Sequence, residues 1–273
     1  MAAYSSESLA RRALEPAASR GWRRGFANLF RKEQSMWWGT SRWLVHLLVW
    51  VAVLDGLILF LNLSDPPAAD DLEVLKDMYQ EGLKIFFELT GIATGIGVLI
   101  TAQSAIIGEK QLGTAAWVLS KPVSRSAFVL AKFASHAIGL LGLAILVPHI
   151  VLYGESMLLW GRVPPLGAFL AGGAVMALHL LFYLALTLML GTLWSSRSPL
   201  AGIVLGFLIG GGLLGHLAPQ LAVIFPWNLW EIATSLALEA PLPASAPIAL
   251  AATTIWTVLC LAVALWRFGR EEF

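Results

Sequence analysis

Cys260 is the only cysteine among 273 residues. A disulfide within the chain and a cysteine metal cluster are both excluded. Charge is scarce as well. Asp, Glu, Lys and Arg make up 13% of the chain, against roughly 25% in a soluble domain. That scarcity excludes an ordinary water-soluble globule. Short motifs that carry chemistry are missing too. No G-x-x-x-x-G-K-[ST] phosphate loop occurs, and neither H-E-x-x-H nor G-x-S-x-G is present. No apolar run carries two carboxylates at hydrolase spacing. The chain therefore has no engine of its own, and is either passive or driven by another subunit. No convincing internal repeat supports an inverted-repeat transporter. The first 35 residues lack an apolar core, which excludes a cleavable signal peptide. Their arginines imitate a transit peptide, but Glu7, Glu15 and Glu33 argue against one.

What is present is oil: 58% of the residues are hydrophobic and 12 are Trp. A helix of about 20 apolar residues crosses a bilayer. Six such runs are legible, at 43–63, 83–107, 127–153, 166–194, 200–217 and 247–266, the third broken near Pro148. The expected fold is an all-α membrane protein with six transmembrane helices. The loops test the count. With the N-terminus inside, all but Lys76, Lys84 and Arg162 of the 18 Lys and Arg residues fall on the inner side or at its border. That asymmetry is what the positive-inside rule demands. The first outer loop, "SDPPAADDLEVLKDMYQE", is acidic. Both termini are expected in the cytoplasm, and the chain in the cytoplasmic (inner) membrane.

Two segments are not expected to span. In "GWRRGFANLFRKEQSMWW", Trp22, Phe26, Leu29, Phe30 and Trp37 share one face at helical spacing. Arg23, Arg24, Arg31 and Lys32 lie largely elsewhere. Residues 20–41 therefore read as an amphipathic helix lying in the cytoplasmic interface. A disordered basic tail is the alternative, and residues 1–19 read as disordered either way. The remainder, 42–273, is the six-span domain. The second exception is 218–245, cut by Pro219, Pro226, Pro241 and Pro243. It reads as short broken helices on the outer face, where Trp227 and Trp230 fit an aromatic belt.

Packing between membrane helices depends on close backbone approach rather than on burial of oil. Gly202, Gly206 and Gly210 step by four along the fifth run, with Gly211 and Gly215 alongside. They form a groove suited to a tight helix contact, a dimer seam or a moving one. Ordinary glycine enrichment is the bland alternative. Gly91, Gly95 and Gly97 offer the same in the second run. Intramembrane polar residues are functional suspects. Asp55 falls roughly 18 Å along the first run at ~1.5 Å per residue. His136 reaches a comparable depth, which allows an Asp55–His136 contact, either to steady the bundle or to line a path. Glu88 is expected to pair with Lys84 across one turn at the outer boundary. His46, His149, His179 and His216 are scattered, and a metal site would need them to converge.

One stretch is neither span nor simple loop: "GEKQLGTAAWVLSKPVSRSAFVLAKF", from Gly108 to Phe133. Leu112, Ala115, Ala116 and Leu119 fall together at i, i+3, i+4 and i+7, which predicts a short helix over 109–119. Pro122 stops it, because the residue before a proline avoids helical geometry. Ser124 is a fair N-cap for the next span. The order is helix, turn, cap, span: a knob beneath the bundle able to pass on a push from a soluble partner. This stretch resembles the cytoplasmic loop of ABC-2-type permeases, the membrane subunits of a class of ATP-binding-cassette transporters. Glu109, Gly113, Thr114, Leu119, Ser120, Pro122, Val123, Ser124, Arg125 and Lys132 occupy matching places. Trp117, with Ala115 and Ala116, departs from the Leu and Glu often found there.

The resemblance implies a coupling helix that docks into a groove of a separate ATPase. Glu109, Lys110, Lys121 and Arg125 would orient it from the rim, and Leu112, Trp117 and Leu119 would anchor it. It implies two permease copies, identical or related, with two ATPases that bind ATP and Mg. It implies an exporter, with no cofactor, metal or active site in this chain. The lipid bilayer is a partner and nucleic acid is not. The competing reading is a non-transporting membrane anchor or assembly component. Beyond these stand a membrane-embedded enzyme or an ion-coupled transporter.

Overall fold

The computed structural model describes residues 21–64 and 72–271, without the side chains of 22, 212–216 and 219. The expected tail at 1–19 and much of the acidic loop lie outside the described residues. Everything described is helix, turn or short connection. Helix α1 is Phe26–Trp38, α2 Arg42–Ser64, α3 Leu72–Gln111 and α4 Thr114–Leu119. Helix α5 runs from Arg125 to Trp160 with a π-helical segment, Leu141–Leu146, inside it. Then come α6 Leu166–Leu193, α7 Arg197–Leu217, the single turn α8 Pro219–Ala222, α9 Leu229–Ala237 and α10 Ala246–Gly269.

Among the described residues, α2, α3, α5, α6 and α10 are long and apolar enough to cross a membrane. The expected fifth run is a helix as well, Arg197–Leu217, and Arg197–Gly211 is its described apolar stretch. Helix α6 is the centre of the bundle. It packs against α3, α9 and α10, and 67% of its apolar window is buried, against 22% for α2 and α10. The reason is visible in its sequence, which is apolar on every side. By contrast α2 turns Leu48, Val53 and Phe60 outward.

Two helices extend beyond the apolar runs they contain. The second run, expected at 83–107, is part of a 40-residue helix. Charged residues at its ends do not stop it, since straight-chain polar residues are good helix formers. The third continues to Trp160, and its irregularity precedes Pro148 instead of sitting on it. Proline lacks an N–H, and its ring crowds the carbonyl four residues back. A π segment one turn upstream shifts the hydrogen-bond register around that carbonyl.

Glycine sets the closest approaches. A Cβ on Gly95 would meet Leu208 of α7 at 2.8 Å, and one on Gly172 would meet the Ala233 carbonyl oxygen at 2.7 Å and Phe87 at 2.9 Å. Gly97 lies against the Trp50 indole, and Gly139 leaves room for Trp37. Gly202, Gly206 and Gly210 behave differently: nothing lies within 4 Å of a Cβ built on any of them. Among the described residues, nothing of the same chain covers that face.

Candidate functional site

The predicted knob is a helix–turn–helix joint whose two ends are tied to the bundle. Helix α3 carries Glu109 and Lys110 on its last turn, so these two are not part of the short helix expected over 109–119. Gly113 makes the break, with φ at +68°, a conformation that L side chains resist. Helix α4 then covers only Thr114–Leu119. The predicted apolar face is corrected accordingly. Ala115 and Val118 are buried and Leu119 half-buried, whereas Leu112 is 78% and Trp117 63% exposed. The break at Gly113 takes Leu112 out of register with the helix that follows. Lys121 lies with its Nζ 3.5 Å from the centroid of the Trp117 ring, a cation–π contact that stiffens the exposed tip.

Below the tip the chain is stapled. The Ser124 Oγ accepts from the Ala127 N–H at 3.0 Å, which is the predicted cap. The Ser124 N–H donates to the Arg24 carbonyl at 2.9 Å. Val123 sits against Gly25, whose φ is +81° and whose Cβ, if it had one, would lie 2.7 Å from the valine. The turn holding Pro122 is thus wedged against the start of α1. Arg125 donates to the Gly269 carbonyl at 2.8 Å. Lys110 pairs with Glu271 at 2.9 Å and donates to the Thr192 carbonyl at 3.2 Å. Three of the four charges expected at a docking rim, Glu109, Lys110 and Arg125, therefore have partners inside the chain. Lys121 remains at the exposed tip.

The strongest tie is a buried ammonium. Lys132 of α5 donates to Glu109 of α3 at 2.6 Å and to Glu33 of α1 at 3.0 Å. The Lys132 side chain is 3% exposed. Lys32 adds a looser contact to Glu109 at 3.5 Å. One cation thus joins three helices, two of them flanking the knob. A charge this buried persists only with partners. Glu33 is the residue that sequence reasoning missed. It follows Leu29 and precedes Trp37 by one turn each, so it shares their buried face. A carboxylate in that register, with one lysine inside a span, was the available clue. The same face packs on α5: Trp37 meets His136 edge-on at 5.8 Å. The network forms one wall of a cavity of about 560 Å³ that also takes in Arg42, His46, His136 and Arg197.

This geometry is accompanied by a family likeness. Residues 40–273 match the model of the ABC-2 family transporter protein. The chain belongs to the ABC-2 transporter family. It is also 30% identical, over 213 residues, to a protein of Pseudomonas aeruginosa named as the probable ABC transporter permease protein NosY. That alignment covers 65% of this chain and 73% of the relative. Membership makes the chain an integral membrane protein and a permease-type subunit of an ABC transporter.

The intramembrane suspects of this ABC-2 protein fall in different places. Asp55 is fully buried, and among the described residues neither carboxylate oxygen has a hydrogen-bond partner. The Asp55–His136 contact that their depth allows is not made. His136 faces the other way, its Nδ1 2.9 Å from the Lys132 carbonyl oxygen and its ring against Trp37. Nor does Lys84 pair with Glu88. It bonds Glu81 at 3.2 Å, and Glu88 turns toward a second cavity with Glu231. His149 sits among Phe86, Phe87 and Phe169. His179 bridges the carbonyls of Gly91 and Pro226 at 3.0 and 3.1 Å. The side chain of His216 lies outside the described residues.

Proposed function

We propose that this chain is the membrane subunit of an exporter, driven by a separate ATPase that binds ATP and Mg and docks on α4. The observation that carries the reading is mechanical. The exposed tip, Leu112 with Trp117 and Lys121, is joined through Gly113, Thr114, Pro122 and Ser124 to two helices, and both are pinned to α1 by Lys132. A push on the tip moves α3 and α5 together instead of bending a loop. Leu112 and Trp117 serve as anchors, as large apolar and aromatic groups do at interfaces. Leu119 supports them from the half-buried side. Glu109, Lys110 and Arg125 act inward, holding the lever.

In this reading α7 is the sixth span, both termini lie in the cytoplasm of an inner-membrane protein, and α1 rests at the cytoplasmic surface. A second permease copy meets the first across Gly202, Gly206 and Gly210. The open groove supports this, because small residues permit close backbone contact in lipid. The relative's name, a permease, supports the transport assignment.

The test is affinity purification of the full chain in mild detergent, asking which ATPase copurifies and whether its hydrolysis depends on the permease. Trp117→Ser should release the ATPase while the permease stays folded. Recovery of a folded permease whose ATPase binding ignores Trp117, Leu112 and Lys121 together overturns the coupling site. A chain that works in the membrane with no ATPase overturns the whole reading.

A further inference from the structure

The second cavity, about 620 Å³, is bounded by α3, α6, α7 and the segment 226–231. Its volume suits a drug-sized ligand, for which pockets run to about 300–1,000 Å³. Glu88 and Glu231, both exposed, line it, and among the described residues no lysine or arginine does. Partial burial, and then the charge of Glu88, hold the Glu231 carboxyl above its ordinary range. Two like charges share the space.

The rest of the wall is aromatic and built firmly. The Trp227 indole N–H donates to the Phe207 carbonyl at 2.8 Å. Its ring lies flush on Gly211, where any side chain would overlap it. Phe225 and Phe207 flank it at 4.8 and 5.1 Å between centroids. Trp230 lines the cavity beside it. Tyr183 backs the wall, fully buried, and among the described residues its hydroxyl has no hydrogen-bond partner. The neighbouring His179 has both ring nitrogens against carbonyl oxygens, of Pro226 and Gly91. Ile92, Ile96 and Ile209 give the cavity an apolar, outward-facing rim.

Aromatic faces and carboxylates attract one class of ligand in common, the cation. Indoles and isoleucines do not coordinate a bare metal ion, which prefers a shell of oxygen ligands. We propose that this cavity binds an amphipathic organic cation, held between the Glu88 and Glu231 carboxylates and the rings of Trp227 and Trp230. The assignment rests on the transport reading above and deepens it, because the bound cation is then the class of substrate moved.

The test uses the full chain in dodecyl maltoside, an uncharged detergent whose head carries no cation. The probe is tetraphenylphosphonium, read by quenching of tryptophan fluorescence against empty micelles. Tetraphenylborate, of like shape and opposite charge, is the control. Tetraphenylphosphonium should saturate and bind about tenfold more tightly than tetraphenylborate. Glu88→Gln with Glu231→Gln should weaken the cation about tenfold and spare the anion. Glu88→Asp with Glu231→Asp keeps the charges, so retained binding there separates electrostatics from misfolding. Equal affinity for both probes, or unchanged cation binding in the glutamine pair, overturns the proposal. A choline-headed phospholipid carries the same cationic chemistry. Added as mixed micelles, it should compete with tetraphenylphosphonium only if its headgroup is an occupant, and failure to compete leaves a free organic cation as the ligand. If the cation fails to bind while the ATPase still copurifies in a Trp117-dependent manner, the substrate class falls and the transport reading stands.

Discussion

Lys132 stands inside a span with two carboxylates on its single ammonium, Glu33 and Glu109. Removing one member of a buried ionic cluster is worse than removing all of it, because the remaining charges lose their partners. Lys132→Met should therefore lower stability by about 3–5 kcal/mol, read as a drop in Tm in detergent. Adding Glu33→Gln and Glu109→Gln should restore much of the loss. A triple variant as unstable as the single would show that packing, not charge, explains it. Trp117→Ser belongs to the same scale with the opposite sign of evidence. The side chain is mostly exposed, so Tm should move by no more than about 0.5 kcal/mol in equivalent stability, while ATPase binding falls. The residue types at these positions were legible in the sequence and their directions were not. Glu109 and Arg125 looked like rim charges because they flank a polar loop. Their partners, Lys132 and the Gly269 carbonyl, lie on other helices.

At the scale of elements, glycine separates contact from open groove. Gly172→Ala places a methyl 2.7 Å from the Ala233 carbonyl oxygen. Backbone cannot step aside as a side-chain tip can, so α9 must move off α6. A loss of about 1–3 kcal/mol is expected, the usual cost of overpacking, measured as Tm. Gly206→Ala meets nothing within 4 Å and should leave Tm unchanged or raise it, since alanine is favoured over glycine in a helix by about 1 kcal/mol. Gly206→Leu should split a permease pair into folded single copies, seen by mass photometry. Survival of the pair would remove the groove from the interface. The four-residue spacing showed that Gly202, Gly206 and Gly210 share a face. It could not show what, if anything, covers that face. Helix α6 nearly coincides with its apolar run, because Pro165 and the serines after Trp194 bracket it. Helix α3 outruns its own, because hydropathy falls at its ends while helix propensity does not.

For the whole molecule, the two ends differ in chemistry. The end holding α4 carries the ionic staples, and the end holding α9 carries the acidic, aromatic cavity. Glu231, on α9, gives a pH signature. Its carboxyl is held above the ordinary value of 4.5, first by burial and then by Glu88. The folded state therefore disfavours the charged form. The penalty is fully present above the raised folded value, shrinks as pH falls through it, and is gone below the unfolded value. Glu231→Gln should raise Tm near neutral pH and change nothing at pH 4 or below, about where an ordinary glutamate is protonated. An equal gain at all pH values would place the effect in packing. The same substitution should weaken the organic cation, so the cavity keeps two repelling carboxylates at the expense of stability.

The sequence by itself determined the environment and the family. Period and length of apolar runs, the one-sided bias of Lys and Arg, and the Gly-Thr to Ser-Lys-Pro-Val-Ser-Arg pattern are all local along the chain, and lipid imposes helix on anything that apolar. Tertiary structure alone decided which polar groups meet. Glu33 and Lys132 are 99 residues apart, and Glu88 left Lys84 to face Glu231 on another element. A helix's rotation about its axis is set by the shapes packed against it, here by Gly95, Gly139 and Gly172. No spacing along one strand of text records that angle.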